Sequence, residues 1–256
     1  MSEFAPAPGA APLPRMVAAQ ARMESRLILR NGEQLLLAVV VPLLVLVGGI
    51  EAARHVDLHL HDRAVDVLTP GVFALAIMST SFTSLAIATG FERRYGVLKR
   101  LGSSPLPRSG LLAGKIGALL VVEALQVLVV SVTALAFGWR ADWTVAGVAG
   151  AVLSLFLGTA AFASIGLFLA GVLRPEATLA AANLVYLLLM AGGAVVLPSH
   201  SYGAAGHVLA LLPSGALGNG LRASFLDGAL PWQHLGVLMV WAAVGTGLTA
   251  RTFTWE

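Results

Sequence analysis

The chain has 256 residues, 57% of them hydrophobic and only 11% charged, with 16 Lys and Arg against 13 Asp and Glu. Soluble domains carry about a quarter charged residues, and a single core of this size cannot hide so much apolar surface, so lipid is the solvent the composition demands. The net charge of +3 is scattered in short segments between apolar runs, which excludes a nucleic-acid face, and the lack of cysteine excludes disulfides, thiolate metal sites and a Cys nucleophile.

Residues 1–15, rich in Ala and Pro and without an apolar centre, are expected to form a disordered tail and not a cleaved signal. Over 16–33, Arg22, Arg26 and Arg30 recur at i, i+4 spacing beside a stripe of Met16, Met23 and Leu27. This pattern predicts a cytoplasmic amphipathic helix lying on the membrane surface; the plainer alternative is a charged flank anchoring the next span.

A membrane domain over 34–250 holds six predicted transmembrane helices, at about 35–50, 67–90, 111–138, 145–173, 177–197 and 235–250, followed by a tail at 251–256. The fold class is all-α. The first span covers ~24 Å, and twelve of its sixteen residues are Leu, Val or Ile. At roughly −0.4 kcal/mol each these contribute about −5 kcal/mol to insertion, enough to tolerate Pro42.

The loop that follows carries His55, His59 and His61 among acidic residues. All three imidazoles cannot share one face of a helix or a strand, so the loop reads as a polar connector, with Zn²⁺ or Cu²⁺ binding as the alternative and no metal site assigned. In span two, Thr69-Pro70-Gly71 is expected to break the chain, and Ser79–Ser84 is rich in hydroxyls. Ser81, Thr83 and Ser84 serve either helix packing or a translocation path.

The connection 91–109 holds Glu92, Arg93, Arg94, Tyr95, Gly96, Val97, Leu98, Lys99, Arg100 and Leu101. Tyr95, Val97, Leu98 and Leu101 form an apolar stripe on a short helix with a basic other side, stopped by Gly102 and Pro105. Such a helix suits docking into a soluble partner's groove; a loop facing lipid headgroups is the alternative.

Gly110 to Ile116 is not a phosphate-binding loop, because only three residues separate Gly110 from Gly114 and Ile follows Lys115. Lys115 is expected to snorkel to the membrane surface. Inside span three, Glu123 and Gln126 lie one turn apart, and a carboxylate there costs on the order of 3 kcal/mol unless it is paired. Glu123 and Gln126, with Asn183 and Tyr186 of span five, are candidates for a translocation path or dimer seam, against a purely structural hydrogen-bonding role. Residues 198–231 are too polar and too broken by Gly and Pro to cross lipid, and are expected to lie at or dip into the interface.

Twelve of the sixteen basic residues fall on one side of this topology: Arg15, Arg22, Arg26, Arg30, Arg93, Arg94, Lys99, Arg100, Arg108, Lys115, Arg174 and Arg251. The positive-inside rule then places both termini in the cytoplasm, as an even number of spans requires.

Three stretches in order along the chain carry a family resemblance. They are residues 66–108, centred on Glu92 to Leu101; Arg174-Pro175-Glu176 with the run 191–198; and the proline-to-arginine segment from Pro213 to Arg222. Together they resemble the membrane subunits of ABC-2-type exporters, and the daunorubicin-resistance permeases are the closest type. The family often carries a second acid where this chain has Arg93 or Arg94.

The resemblance implies an ABC-2, type V exporter-like fold with an N-terminal interface helix and an extracellular re-entrant helical element before the last span. It implies a permease in the cytoplasmic membrane that exports a hydrophobic or amphipathic compound, such as an antibiotic or a lipid. No cofactor is expected in the chain itself; ATP and Mg²⁺ belong to a separate cytoplasmic ATP-binding subunit, expected in two copies and gripped through residues 92–101. A second permease copy or paralogue and membrane lipid are the other expected partners, and nucleic acid is not. Alternatives are an intramembrane enzyme, for which Gly-x-Ser-x-Gly and paired acids are missing, or a non-transporting membrane adaptor. The excess of Arg over Lys suggests a bacterial genome rich in GC.

Overall fold

The computed structural model describes residues 11–55, 62–102 and 104–253, with side chains for all of these but 33–37, 102 and 108. The predicted loop histidines His59 and His61 lie outside the described residues, as do the ends of both predicted tails. Among the described residues every regular element is helical: α1 (Leu13–Arg30), α2 (Gly32–His55), α3 (Ala64–Met78), a π-helical turn (Ser79–Ser84), α4 (Leu85–Arg94), α5 (Val97–Gly102), α6 (Arg108–Ala136), α7 (Val145–Val172), α8 (Pro175–Gly192), a 3₁₀ turn (Ser199–Ala205), α9 (Gly206–Leu209), α10 (Pro213–Phe225) and α11 (Trp232–Thr252).

Six helical stretches are long and apolar enough to cross a membrane: Ala38–His55, Ala64–Arg94, Ser109–Ala136, Val145–Val172, Pro175–Gly192 and Trp232–Thr252. The second joins α3, the π turn and α4 without interruption. Thr69-Pro70-Gly71 therefore does not break the chain as expected: Pro70 sits inside α3. A proline removes one rung of the ladder and crowds the carbonyl one turn back. That carbonyl belongs to Asp66, and the carbonyls on either side of it gain donors: the Thr69 hydroxyl donates to Val65 at 2.6 Å, and Arg222 Nε donates to Val67 at 3.1 Å.

The helices differ in what covers them. The most apolar stretch of the α3–α4 span is 78% buried, whereas that of α8 is 11% buried. A helix apolar on every side belongs in a core, so α3 runs through the centre, packed by α2, α6, α7 and α10. Helix α7 is the second central element, against α11, α10 and α4, and small residues let its neighbours approach. At Gly166 a side chain would not fit, because a Cβ there would stand 2.9 Å from the Phe82 carbonyl oxygen.

Helix α8 ends at Gly192, five residues short of the predicted span end at 197. The chain reverses there through Gly193 and Ala194, the latter at φ 52°, the one left-handed non-glycine residue among those described. Its backbone carbonyls are taken up by α10: the Ser214 hydroxyl donates to the Gly193 carbonyl at 2.8 Å, and Arg222 donates to the carbonyls of Val195, at 2.8 Å, and Val196. Non-helical backbone between apolar helices needs such internal partners.

The two ends of the bundle differ in chemistry. One end holds α1, α5, Arg93, Lys115 and Phe253, so both described chain ends meet there. The other end holds α10 and a cluster of Phe73, Trp139, Trp143 and Phe225, with ring centroids 5.5–6.2 Å apart.

Candidate functional site

The basic end is organised by the last turn of α4. Consecutive helical residues project about 100° apart, so Glu92, Arg93 and Arg94 reach three different neighbours. Glu92 turns inward and accepts from Lys115 of α6, Oε1 to Nζ 2.7 Å. Lys115 also donates to Glu24 of α1 at 3.1 Å, and Gln20 Nε2 donates to the same Glu24 oxygen at 2.9 Å. The Lys115 side chain is only 6% exposed, so it does not snorkel as expected. Two carboxylates compensate the several kcal/mol that desolvating each buried ion costs, and the snorkelling reading fails because both acids lie closer than water.

Arg93 reaches the end of α7, donating to the Ala170 carbonyl at 2.7 Å and the Gly171 carbonyl at 2.5 Å. The last turn of a helix has unpaired carbonyls and a negative dipole end, so a guanidinium belongs there. Arg94 pairs with Glu176 in the first turn of α8, where an acid complements the positive dipole end. That pair is half-exposed and contributes little stability.

Beyond this turn the chain is reoriented at Gly96, whose φ of +66° suits glycine. Tyr95 is 63% exposed and Lys99 and Arg100 stand outward on α5, whereas Leu98 is 2% exposed and Val97 and Leu101 are half-buried. The ten residues 92–101 thus divide into a triplet bonded to neighbouring helices, Glu92 and Arg93 inward and Arg94 at the surface, an outward trio of Tyr95, Lys99 and Arg100, and an apolar side that seats α5 on the protein.

Beside them, α1 lies along α6, where Gly114 leaves room for Gln20. Gln20, Glu24 and Ser25 face inward, while Arg22, Arg26 and Arg30 are exposed together with Met23 and Leu27.

A cavity of about 710 Å³ opens between α2, the π turn, α4 and α8. Its wall contains Thr83, Ser84, Asn183 and Tyr186, four of the residues singled out from the sequence, with Ser79 and the aliphatic Val41, Ile87, Leu179 and Leu187. The other three point elsewhere. The Ser81 hydroxyl donates to the Ile77 carbonyl at 2.6 Å, and Gln126 bridges Thr80, at 2.9 Å, and the Ala38 carbonyl, at 2.8 Å. Glu123 accepts from Thr159 of α7 at 2.6 Å and is not among the residues lining the cavity.

Among the described residues no group of three His, Cys, Asp or Glu could hold a metal ion, and His55 is bonded to the Glu51 carbonyl at 2.8 Å.

Arg222 enters the sequence reading only as the end of the proline-to-arginine segment, with no role of its own. It is 5% exposed and donates to three backbone carbonyls and to Asn219. Burial lowers its pKa from the ordinary arginine value. The signal available for it was a lone cation within a long uncharged stretch rich in Gly, Ala and Leu.

Six apolar helical stretches around a buried polar framework define a multi-pass membrane protein. Residues 61–251 match the family described as ABC-2 family transporter protein, and the chain belongs to that family. No curated protein and no solved structure matches the chain. Members of this family are the membrane components of transporters and work with an ATP-binding subunit.

Proposed function

We propose that the chain is the permease subunit of an ATP-driven exporter of the cytoplasmic membrane, with both termini on the cytoplasmic side and the basic end facing the ATP-binding subunit. The observation that carries this reading is the division of residues 92–101: Tyr95, Lys99 and Arg100 are exposed at and before the seated helix α5, while Glu92, Arg93 and Arg94 tie the adjoining end of α4 to α6, α7 and α8. A push on α5 is delivered to three helices at once. Helix α1, linked through Glu24 and Lys115, moves with them and rests its exposed Arg22, Arg26 and Arg30 on lipid headgroups.

Residues 198–231 form the extracellular re-entrant element in this reading, and α2 and α8, with their exposed apolar faces, meet a second permease copy across the cavity. Cargo passes along that cavity, as an antibiotic or lipid-like compound would. ATP and Mg²⁺ are held by the partner.

The test is capture of the ATP-binding subunit by the purified chain. Tyr95→Asp with Lys99→Glu lowers capture at least about tenfold and leaves the thermal midpoint of the permease unchanged. Leu98→Asp acts differently, because it buries a charge and lowers the midpoint itself. Normal capture by the Tyr95/Lys99 variant would refute docking through α5.

A further inference from the structure

The π turn decides what the cavity can bind. In an α-helix, residues five apart project about 140° from one another; i→i+5 bonding widens the turn so that residues four and five apart share a face. Ser79, Thr83 and Ser84 are related in this way, and all three line the cavity. The same stretch turns its other hydroxyls away: Thr80 is engaged with Gln126, and Ser81 with its own helix.

Across the cavity, α8 presents Leu179, Asn183, Tyr186 and Leu187 along one stripe. Tyr186 is hydrogen-bonded to Ser79, which closes the hydroxyl row at one end. The Thr83 hydroxyl is buried and has no partner among the described residues. None of the described lining residues carries a charge. Among the described residues, a wall of hydroxyls, two amides (Asn31 and Asn183) and aliphatic side chains compensates a carbonyl, hydroxyl or amide, and offers a carboxylate or ammonium group no counter-ion in a low-dielectric site.

Resting on the permease reading above, we propose that this cavity takes an uncharged amphiphile, whose polar group pairs with Ser84 and Asn183 and whose apolar body lies against Ile87, Leu179 and Leu187. The π turn is the specificity element, because it brings Ser84 into line with Ser79 and Thr83.

A matched pair of photoprobes tests this: uncharged 4-benzoylbenzyl alcohol and anionic 4-benzoylbenzoate, applied to the full chain in phosphatidylcholine nanodiscs, with labelled peptides mapped by mass spectrometry. The alcohol is expected to label the segments 79–88 and 179–187 saturably, at least about tenfold more than the benzoate. Ser79→Ala with Thr83→Val and Ser84→Ala keeps the shape, removes the hydroxyls and lowers labelling by about tenfold, the scale of one or two net hydrogen bonds. Ser84→Lys raises labelling by the benzoate.

Equal labelling by the two probes of the unsubstituted chain would overturn the proposal whether or not the triple variant folds. So would labelling that excess alcohol does not displace, since a lipid chain or a second copy would then fill the space. Capture of the ATP-binding subunit through α5 is read separately, so loss of labelling with capture intact overturns the cargo class and leaves the permease reading standing.

Discussion

Lys115 Nζ stands 2.7 Å from Glu92 Oε1 in the interior, joining the end of α4 to the start of α6, and a second carboxylate, Glu24, brings in α1. The cation balances two acids from two other helices, so its loss leaves both uncompensated. Lys115→Met is expected to destabilise the chain by about 3–5 kcal/mol. The triple neutral variant, with Glu24→Gln and Glu92→Gln added, recovers most of that. Thermal unfolding in detergent compares the two; a triple variant no more stable than the single one would show that the three side chains do not act as an electrostatic unit.

Arg93 closes the end of α7, and its fork reaches carbonyls from Ala170 to Leu173. Arg93→Ala is expected to cost about 2 kcal/mol, the scale of a hydrogen bond to a charged group. Arg93→Lys restores only part of it, because an ammonium is a point charge where two carbonyls are bridged by a planar group. The readout is the thermal midpoint together with the ATPase rate of the assembled complex, which falls in Arg93→Ala if force reaches α7 through this residue.

At the opposite end, Arg222→Leu leaves the carbonyls of Val67, Val195 and Val196 without their donor. Each orphaned buried carbonyl costs about 1–3 kcal/mol, so the segment 193–206 should detach from α3 and become open to protease. Arg222→Lys, which reaches fewer carbonyls at once, is expected to show intermediate cleavage. Limited proteolysis of intact vesicles reads this; a Leu variant as resistant as the original would mean that the clamp carries no weight.

The π turn rests on α7 at Gly166, where a Cβ would stand 2.9 Å from the Phe82 carbonyl oxygen. Gly166→Ala forces α7 and the turn apart and is expected to cost about 1–3 kcal/mol. Gly166→Leu should abolish folded protein on size-exclusion chromatography. Because the turn lines the cavity, the Ala variant should also weaken labelling by 4-benzoylbenzyl alcohol.

Each predicted span overlaps one of the six apolar helical stretches, because an apolar run of helical length is a local property and lipid leaves its backbone one way to satisfy itself. The ends of spans one and five are each off by five residues, the first too short and the fifth too long. The apolar residues of span five continue to Leu197, but the helix stops at Gly192, because α10 supplies partners for the carbonyls that follow. Pro70 misled in the opposite direction: a residue that breaks an isolated helix is accommodated where a guanidinium from α10 meets the loosened turn.

The site residues divide along the same line. The hydroxyl-rich turn and the polar residues of α8 were legible as exceptions in apolar helices, and Thr83, Ser84, Asn183 and Tyr186 do meet at one cavity. Glu123 and Gln126 were legible in the same way, yet they face Thr159 and Thr80, because a polar residue inside a span announces that it needs a partner without saying on which side.

The amino-acid sequence by itself determined an all-helical membrane chain of six apolar stretches with its basic residues gathered at one end, since lipid solvation and helix period act on neighbours along the chain. Only the tertiary structure decided that Glu92 and Arg93 turn inward while Arg94, Tyr95, Lys99 and Arg100 remain at the surface, and that Lys115 and Arg222 are buried. A charge settles where opposite charge or free carbonyls from distant helices compensate its desolvation, and that meeting exists only once the helices have packed.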